Sequence, residues 1–137
     1  MPVARLTTTS KFHIDVSYWE KQGRNFREEV YDALCDECKS MYSLEETREV
    51  DHVDPVTGQV TRLDVLLDCA SEVCANSADF VNPRMPLTRS IFRAFIAAGN
   101  MPQSAEDIYA RIKKGSPQVI LKELLSNQME ADGIVSV

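Results

Sequence analysis

The sequence is poor in the residues on which most enzyme motifs depend. Of its 137 residues only 2 are His and 5 are Gly, which limits the bases and tight turns available to an active site. The chain contains no Gly-rich phosphate loop, and no Ser, Cys or Lys stands in a recognisable nucleophile motif. Asp51 and Asp54 flank His52, but on a hairpin such residues serve the turn and solubility. We therefore expect a protein that is not an enzyme and has no evident small-molecule substrate.

Long apolar runs are also missing. No run approaches the roughly 20 residues that a membrane-spanning helix needs, so we expect no contact with a membrane. The first twelve residues hold one Arg and no apolar core, unlike a secretory signal. The 4 Cys are too few and too clustered for a secreted disulfide scaffold. A cytoplasmic location follows as the expectation, with reduced thiols or a bound metal favoured over disulfides.

The net charge of −6 is distributed unevenly along the chain. Residues 1–82 carry 8 Lys and Arg against 16 Asp and Glu, whereas residues 83–137 carry 7 against 5. An acidic surface repels the phosphate backbone of nucleic acids. Only the C-terminal third therefore has a charge that permits contact with nucleic acid.

Residues 1–82 are predicted to form a helix–β-hairpin–helix half, preceded by a short strand or extended arm over 5–16. Apolar residues at spacings of three and four predict one helix from Ser17 to about Met41, with a weak point at Gly23. The hairpin over 48–65 is the clearest local signal. Asp54 can accept from the turn amides, Pro55 presets the turn, and Gly58 suits its left-handed position.

A second helix is predicted over 64–80, with Cys69 on its buried face. Pro83 and Pro86 then interrupt the helical pattern, and we place a boundary between residues 82 and 83. The predicted fold class is thus α+β and mostly helical, with two halves at 1–82 and 83–137 that pack together.

Residues 83–137 are predicted to form three short helices followed by a strand. Pro86 can begin the first helix, and Ser104 with Asp107 three residues later predicts the start of the second. Gly115 ends the second helix, and Ser116 caps the third. A terminal strand is predicted after Gly133.

This pattern resembles the winged helix-turn-helix family over Leu87–Val137. The resemblance is carried by the run Ser104-Ala105-Glu106-Asp107-Ile108-Tyr109, the turn at Gly115-Ser116, Val119, Leu124-Leu125 and the run Gly133-Ile134-Val135. The resemblance implies that the third helix enters the major groove of duplex DNA. The residues implied to contact DNA are Lys113, Lys114, Ser116, Gln118 and Lys122, with Asn127 and Gln128 as further candidates.

Two departures from the family pattern keep a second function open. The third helix has no Arg and carries Glu123, and only one strand follows it before Val137. One hypothesis is a regulatory protein that binds duplex DNA, as a homo-oligomer that gains affinity from two reading heads. The other is an adaptor that binds a protein partner within a larger assembly and makes no contact with nucleic acid.

The four cysteines form a C-x2-C pair, Cys35 and Cys38, and a C-x4-C pair, Cys69 and Cys74. Four thiolates can complete a tetrahedral structural zinc site, with the hairpin held between the two pairs. The alternative is four buried thiols without metal. A five-residue step fits a ligand pair only if the helix breaks between Cys69 and Cys74. His52 is a further candidate ligand, although a lone His on a strand is more often a surface residue.

Overall fold

The structure, a computed structural model, describes residues 5–54 and 57–137. Within these ranges the chain has the predicted α+β, mostly helical fold, with eight α-helices and two small antiparallel sheets. The N-terminal part comprises β1 (Lys11–Ile14), α1 (Val16–Lys21), α2 (Phe26–Ala33), α3 (Asp36–Met41), β2 (Glu49–Val53), β3 (Val60–Asp64) and α4 (Val65–Glu72). The C-terminal part comprises α5 (Leu87–Ala97), β4 (Gln103–Ser104), α6 (Ala105–Ile112), α7 (Pro117–Leu124), α8 (Asn127–Ala131) and β5 (Ile134–Ser136).

The prediction of one helix from Ser17 to Met41 is wrong, because this segment forms three short helices. The first break follows α1, where Gly23 has a positive φ of 69° and the Asn25 side chain accepts from the amides that begin α2. The second break lies at Leu34 and Cys35, whose extended backbone separates α2 from α3. The Asn25 cap therefore overrides a continuous apolar face at the first break, whereas Cys35 makes no side-chain cap at the second.

The predicted hairpin over 48–65 is confirmed by the pairing of β2 with β3, which runs from Glu49 opposite Asp64 to Val53 opposite Val60. Gly58 has the predicted positive φ, of 72°, and the Asp54 carboxylate accepts from the Thr57 amide. The prediction for Pro55 lies outside the described residues.

The helix predicted over 64–80 is shorter than expected. Asp64 caps α4 by accepting from the Leu66 amide, and α4 ends at Glu72. A single 3-10 turn over Cys74–Asn76 follows. The chain thus changes direction between Cys69 and Cys74.

Capping residues begin α6 and α7 as the sequence predicts, but a fourth helix, α8, follows where only three helices were predicted. Ser104 and Asp107 form a capping box at the start of α6. Lys113 adopts the left-handed conformation at the end of α6, with φ of 54°. Ser116 caps α7 by accepting from the Val119 amide, and Pro117 occupies the first position of α7.

One sheet joins the two predicted halves. Its strand order is β4-β1-β5, so β1 from the first half lies between two strands of the second and pairs antiparallel with both. A second strand does therefore lie beside β5, but it comes from the N-terminal part of the chain. The Trp19 indole also donates to the Asp132 carbonyl at 2.7 Å. The boundary at 82 and 83 thus separates two sequence segments that share a sheet.

The hydrophobic core is continuous across both parts. Buried side chains from α1, α2, α4, α5, α6, α7 and β1 pack in one cluster, in which Leu66, Phe95 and Ile108 are fully buried. At the end of α5, Gly99 has a positive φ of 64°, and a Cβ there would lie 2.9 Å from Leu63 Cδ1. The hairpin therefore packs closely on α5. In the described part of the chain, no helix has both the length and the apolar character to cross a membrane.

Candidate functional site

All four cysteines meet at the junction of α3, α4 and the 3-10 turn. Cys35 immediately precedes α3, and Cys38 lies within it. Cys69 lies in α4, and Cys74 begins the 3-10 turn. The break between α4 and that turn brings Cys74 to the side where Cys69 points. The helix thus breaks between Cys69 and Cys74, as their five-residue spacing requires if both are to bind one metal.

The cysteines differ in their bonding. Cys38 and Cys69 form a disulfide, so the expectation of reduced thiols is wrong for this pair. Their Cα atoms lie 6.2 Å apart, a separation that packing of α3 against α4 sets and that the sequence spacing did not reveal. Cys35 and Cys74 are free thiols whose Sγ atoms lie 3.1 Å apart. The Cys35 amide also donates to the Cys74 Sγ at 3.0 Å.

The environments of the two free thiols shift their pKa values in opposite directions. A hydrogen bond from the Cys38 amide is the main cause that lowers the pKa of Cys35. Burial raises the pKa of the Cys74 thiol to about 11. Burial likewise lowers the pKa of the nearby Arg93 guanidinium, and the charge of Arg89 adds to this effect. A cavity of about 190 Å³ lies beside Cys35, Cys74 and Arg93.

The cluster has the number and type of ligands that zinc requires. Four thiolates at 2.3 Å from a tetrahedral zinc lie about 3.8 Å from one another. The Sγ atoms of Cys35, Cys38 and Cys74 all lie within 4.8 Å of one another, and that of Cys69 is bonded to Cys38. Reduction of the Cys38–Cys69 bond, with two electrons and two protons, would free the thiols of Cys38 and Cys69, of which Cys38 lies within 4.8 Å of both Cys35 and Cys74. The cluster can therefore hold a metal once this bond is reduced.

A second group of possible metal ligands lies on the hairpin side of α4. His52 is only 7% exposed, so the prediction of a surface His is wrong. Its ring faces the carboxylates of Asp68 and Glu72, and the three ligand atoms lie within 4.8 Å of one another. His52 therefore groups with these two carboxylates, whereas the sequence had suggested that it replaces a cysteine. The signal for Asp68 and Glu72 was their i,i+4 spacing on α4, but their partner became evident only from the hairpin register.

The side-chain ammonium of Lys114 makes its hydrogen bonds to other residues of the protein. Its ammonium donates to the carbonyl of Asn82 at 2.6 Å, to the carbonyl of Met85 at 2.8 Å and to Ser90 Oγ at 2.8 Å. An ammonium has three hydrogen-bond donors, and these three contacts use them all. Lys114 therefore connects the segment before α5 to the turn between α6 and α7, and it is not free to contact a phosphate.

The other residues predicted to contact DNA lie around the outer face of α7. Lys113, Gln118 and Lys122 are exposed, whereas Ser116 is half-buried and its hydroxyl caps the helix. The buried face of α7 holds Ile120 and Leu124. A helix repeat of 3.6 residues then places Gln118 and Lys122, four residues apart, together on the opposite face.

Apolar side chains share this outer face. Val119 is 44% exposed and Leu125 is 54% exposed, close to Gln118 and Lys122 along the chain. Glu123 adds a half-buried carboxylate. The outer side of α7 therefore offers one central cation, one amide and two apolar side chains, which is a mixed surface.

Searches for similar proteins found no matching family model, no matching curated protein and no matching solved structure.

Proposed function

We propose that the chain is a non-enzymatic regulatory protein with a structural four-cysteine zinc centre. The observation that carries this proposal is the convergence of Cys35, Cys38, Cys69 and Cys74 from two segments that are thirty residues apart in sequence. A disulfide between Cys38 and Cys69 alone requires no third or fourth cysteine at the junction. A tetrahedral four-thiolate zinc site uses all four.

The position of the cluster suggests what the zinc does. It connects α3 to α4 across the hairpin, and the short helices α1 to α3 have only a small apolar face each. Metal binding to thiolates that are brought together only in the folded chain contributes directly to the free energy of folding. The zinc centre would thus hold the N-terminal helices and the hairpin against the core.

Metal analysis of the reduced protein tests this proposal. The full chain is purified with a reductant and without chelator, and bound zinc is measured by mass spectrometry. We expect about one zinc per chain, and a large loss of zinc in Cys74→Ser because one of four ligands is removed. Ala75→Ser is the matched control, since it introduces the same hydroxyl one residue further along.

Two results would overturn the zinc proposal. One is a reduced, folded protein that contains no zinc and releases none to a chelator. The other is a Cys38–Cys69 disulfide, together with a second bond between Cys35 and Cys74, that persists under conditions that reduce accessible disulfides. Either result would make the cluster a pair of disulfides or a set of buried thiols.

Contact of α7 with duplex DNA is a second candidate function. It is supported by the order helix, strand, helix and helix over residues 87–124, which an additional helix, α8, separates from β5, and by the exposed Gln118 and Lys122 on the outer face of α7. The acidic residues of α6 are already engaged with the N-terminal arm, since Glu106 accepts from Thr8 and Asp107 pairs with Lys11. They add little repulsion at the opposite end of α6, where Lys113 lies.

Fluorescence anisotropy with labelled duplex DNA at low ionic strength tests this second function. We expect binding that weakens as salt is added and that falls in Lys122→Ala, because each phosphate contact releases a counterion. Lys39→Ala, an exposed lysine on α3, is the matched control. Absence of binding at low ionic strength would end the DNA proposal. The adaptor function, favoured by exposed Val119 and Leu125, would then take its place.

A further inference from the structure

His52, Asp68 and Glu72 come together because the hairpin packs on α4. Asp68 and Glu72 are four residues apart on α4 and therefore share one face of the helix. His52 lies in β2, opposite Thr61 of β3, and its ring is directed toward that face. One imidazole and two carboxylates are thus presented by two elements that the core holds in fixed relative positions.

The two carboxylates approach the same ring nitrogen. His52 Nδ1 lies 3.1 Å from Asp68 Oδ1 and 3.3 Å from Glu72 Oε1. That nitrogen carries at most one hydrogen, so it donates to one carboxylate and cannot donate equally to the other. A hydrogen bond from His52 therefore accounts for one of the two carboxylates and leaves the approach of the other to be explained. A cation between the three atoms would satisfy both carboxylates.

The distances agree with the size of a transition-metal ion. Nitrogen and oxygen ligands lie about 2.0–2.2 Å from zinc, and neighbouring ligands of such an ion are then about 3.0–3.5 Å apart. The separations of 3.1 and 3.3 Å from Nδ1 fall in this range. The three side chains therefore need only small adjustments to surround one ion.

The site is shielded from solvent on the side of His52 and open to solvent on the side of Glu72. His52 is almost fully buried, Asp68 is partly buried, and the Glu72 side chain is 58% exposed. A polar cavity of about 410 Å³ lies beside His52 and Glu72, and Ser71, Asn76 and Arg111 also line it. This space admits an ion and water molecules that would complete its coordination. Three protein ligands with an open position is the arrangement seen in metal sites that exchange water or bind a small ligand.

We propose that His52, Asp68 and Glu72 form a second metal site, which binds one divalent transition-metal ion of the manganese-to-zinc series. The ligand set differs in kind from the cysteine cluster. Imidazole and carboxylate ligands accept manganese, whereas four thiolates select softer ions such as zinc. This site does not rest on the proposed zinc centre, and each can fail without the other.

Titration of the full chain with Mn²⁺, followed by electron paramagnetic resonance, tests the site without interference from the thiolates. We expect one Mn²⁺ bound per chain. In Glu72→Gln the affinity for Mn²⁺ should fall at least tenfold, which is roughly the loss seen when a partner in a metal site is removed. Glu72 is mostly exposed, so this substitution leaves folding intact. Asp51→Asn is the matched control, because it removes an exposed carboxylate, paired with Arg62, from the same hairpin.

A spectroscopic measurement identifies the ligand itself. Electron spin echo modulation of bound Mn²⁺ should show coupling to a histidine nitrogen, and this coupling should persist in His13→Gln, which removes the other His of the chain. It should disappear in His52→Gln if circular dichroism shows that this variant folds. Lack of stoichiometric Mn²⁺ binding would overturn the proposal, as would equal loss of affinity in Glu72→Gln and Asp51→Asn. Either result would leave His52 as a buried residue that is hydrogen-bonded to a carboxylate.

Discussion

Neighbouring lysines at positions 113 and 114 should have very different effects on stability. Lys113 is exposed at the end of α6, whereas the Lys114 ammonium donates three hydrogen bonds of 2.6, 2.8 and 2.8 Å inside the protein. Substitution of either lysine by Met removes one positive charge and keeps a side chain of similar length. The pair Lys113→Met and Lys114→Met therefore separates the effect of charge from the effect of these contacts.

The magnitude follows from what Lys114→Met leaves behind. A hydrogen bond from a charged donor contributes about 1.5–3 kcal/mol, and a buried acceptor left without a partner costs about 1–3 kcal/mol. The carbonyls of Asn82 and Met85 are half-buried and can be partly hydrated, and Ser90 Oγ keeps its bond to the Pro86 carbonyl. We therefore expect a net loss of about 2–4 kcal/mol for Lys114→Met, and less than about 0.5 kcal/mol for Lys113→Met.

Chemical and thermal denaturation followed by tryptophan fluorescence measure the free energy of unfolding and the melting temperature of both variants, since Trp19 is buried in the shared core. At about 4 °C per kcal/mol, Lys114→Met should lower the melting temperature by roughly 8–16 °C. Equal stability of the two variants would refute the assignment of Lys114 to an internal role. It would return Lys114 to the candidates for contact with DNA.

Three further predictions concern the shared sheet and its contacts. The fragment 83–137 should lack near-ultraviolet circular dichroism, because β1 lies between β4 and β5; a folded fragment would contradict this. Trp19→Phe should lose at least about 1 kcal/mol in urea denaturation, because the indole bond to the Asp132 carbonyl disappears and the smaller ring fills less of this buried site, and an unchanged midpoint would argue against it. Burial raises the pKa of Asp107, but bonds from Lys11 and Ser104 outweigh it and hold this pKa below 3.8. The ionised Asp107 therefore stabilises the folded protein above about pH 3.8, and this contribution is lost as the pH falls. In urea titrations at several pH values, the free energy of unfolding of Asp107→Asn should fall less on acidification than that of the wild type.

The parts of the fold that the sequence predicted are those set by local chemistry. The capping residues Ser104 and Ser116, the turn at Gly58 and the breaks around Pro86 all act on neighbouring backbone groups. The helix predicted to run to Met41 failed because an apolar face continues across the break at Leu34, and only tertiary packing determines where the chain turns. The position of β1 between β4 and β5 depends on pairing across about 90 residues to β4 and about 120 residues to β5, which no local pattern contains.

The candidate sites show the same division. Composition and spacing identified the four cysteines, but the disulfide between Cys38 and Cys69 depends on how α3 packs against α4. The inward orientation of Lys114 depends on the distant carbonyls of Asn82 and Met85. The sequence favours a surface position for His52 because a lone His on a strand is more often exposed, although α4 covers the face on which it lies. Contacts between distant segments therefore decide which polar residues are available to bind a ligand.

X-ray absorption at the zinc edge tests the four-cysteine centre most directly. For the reduced full chain with one equivalent of zinc, the account predicts a first shell of four sulfur atoms at about 2.3 Å, which Cys35, Cys38, Cys69 and Cys74 supply together. A shell of nitrogen and oxygen atoms, or of fewer than three sulfur atoms, would contradict the assignment of zinc to this cluster.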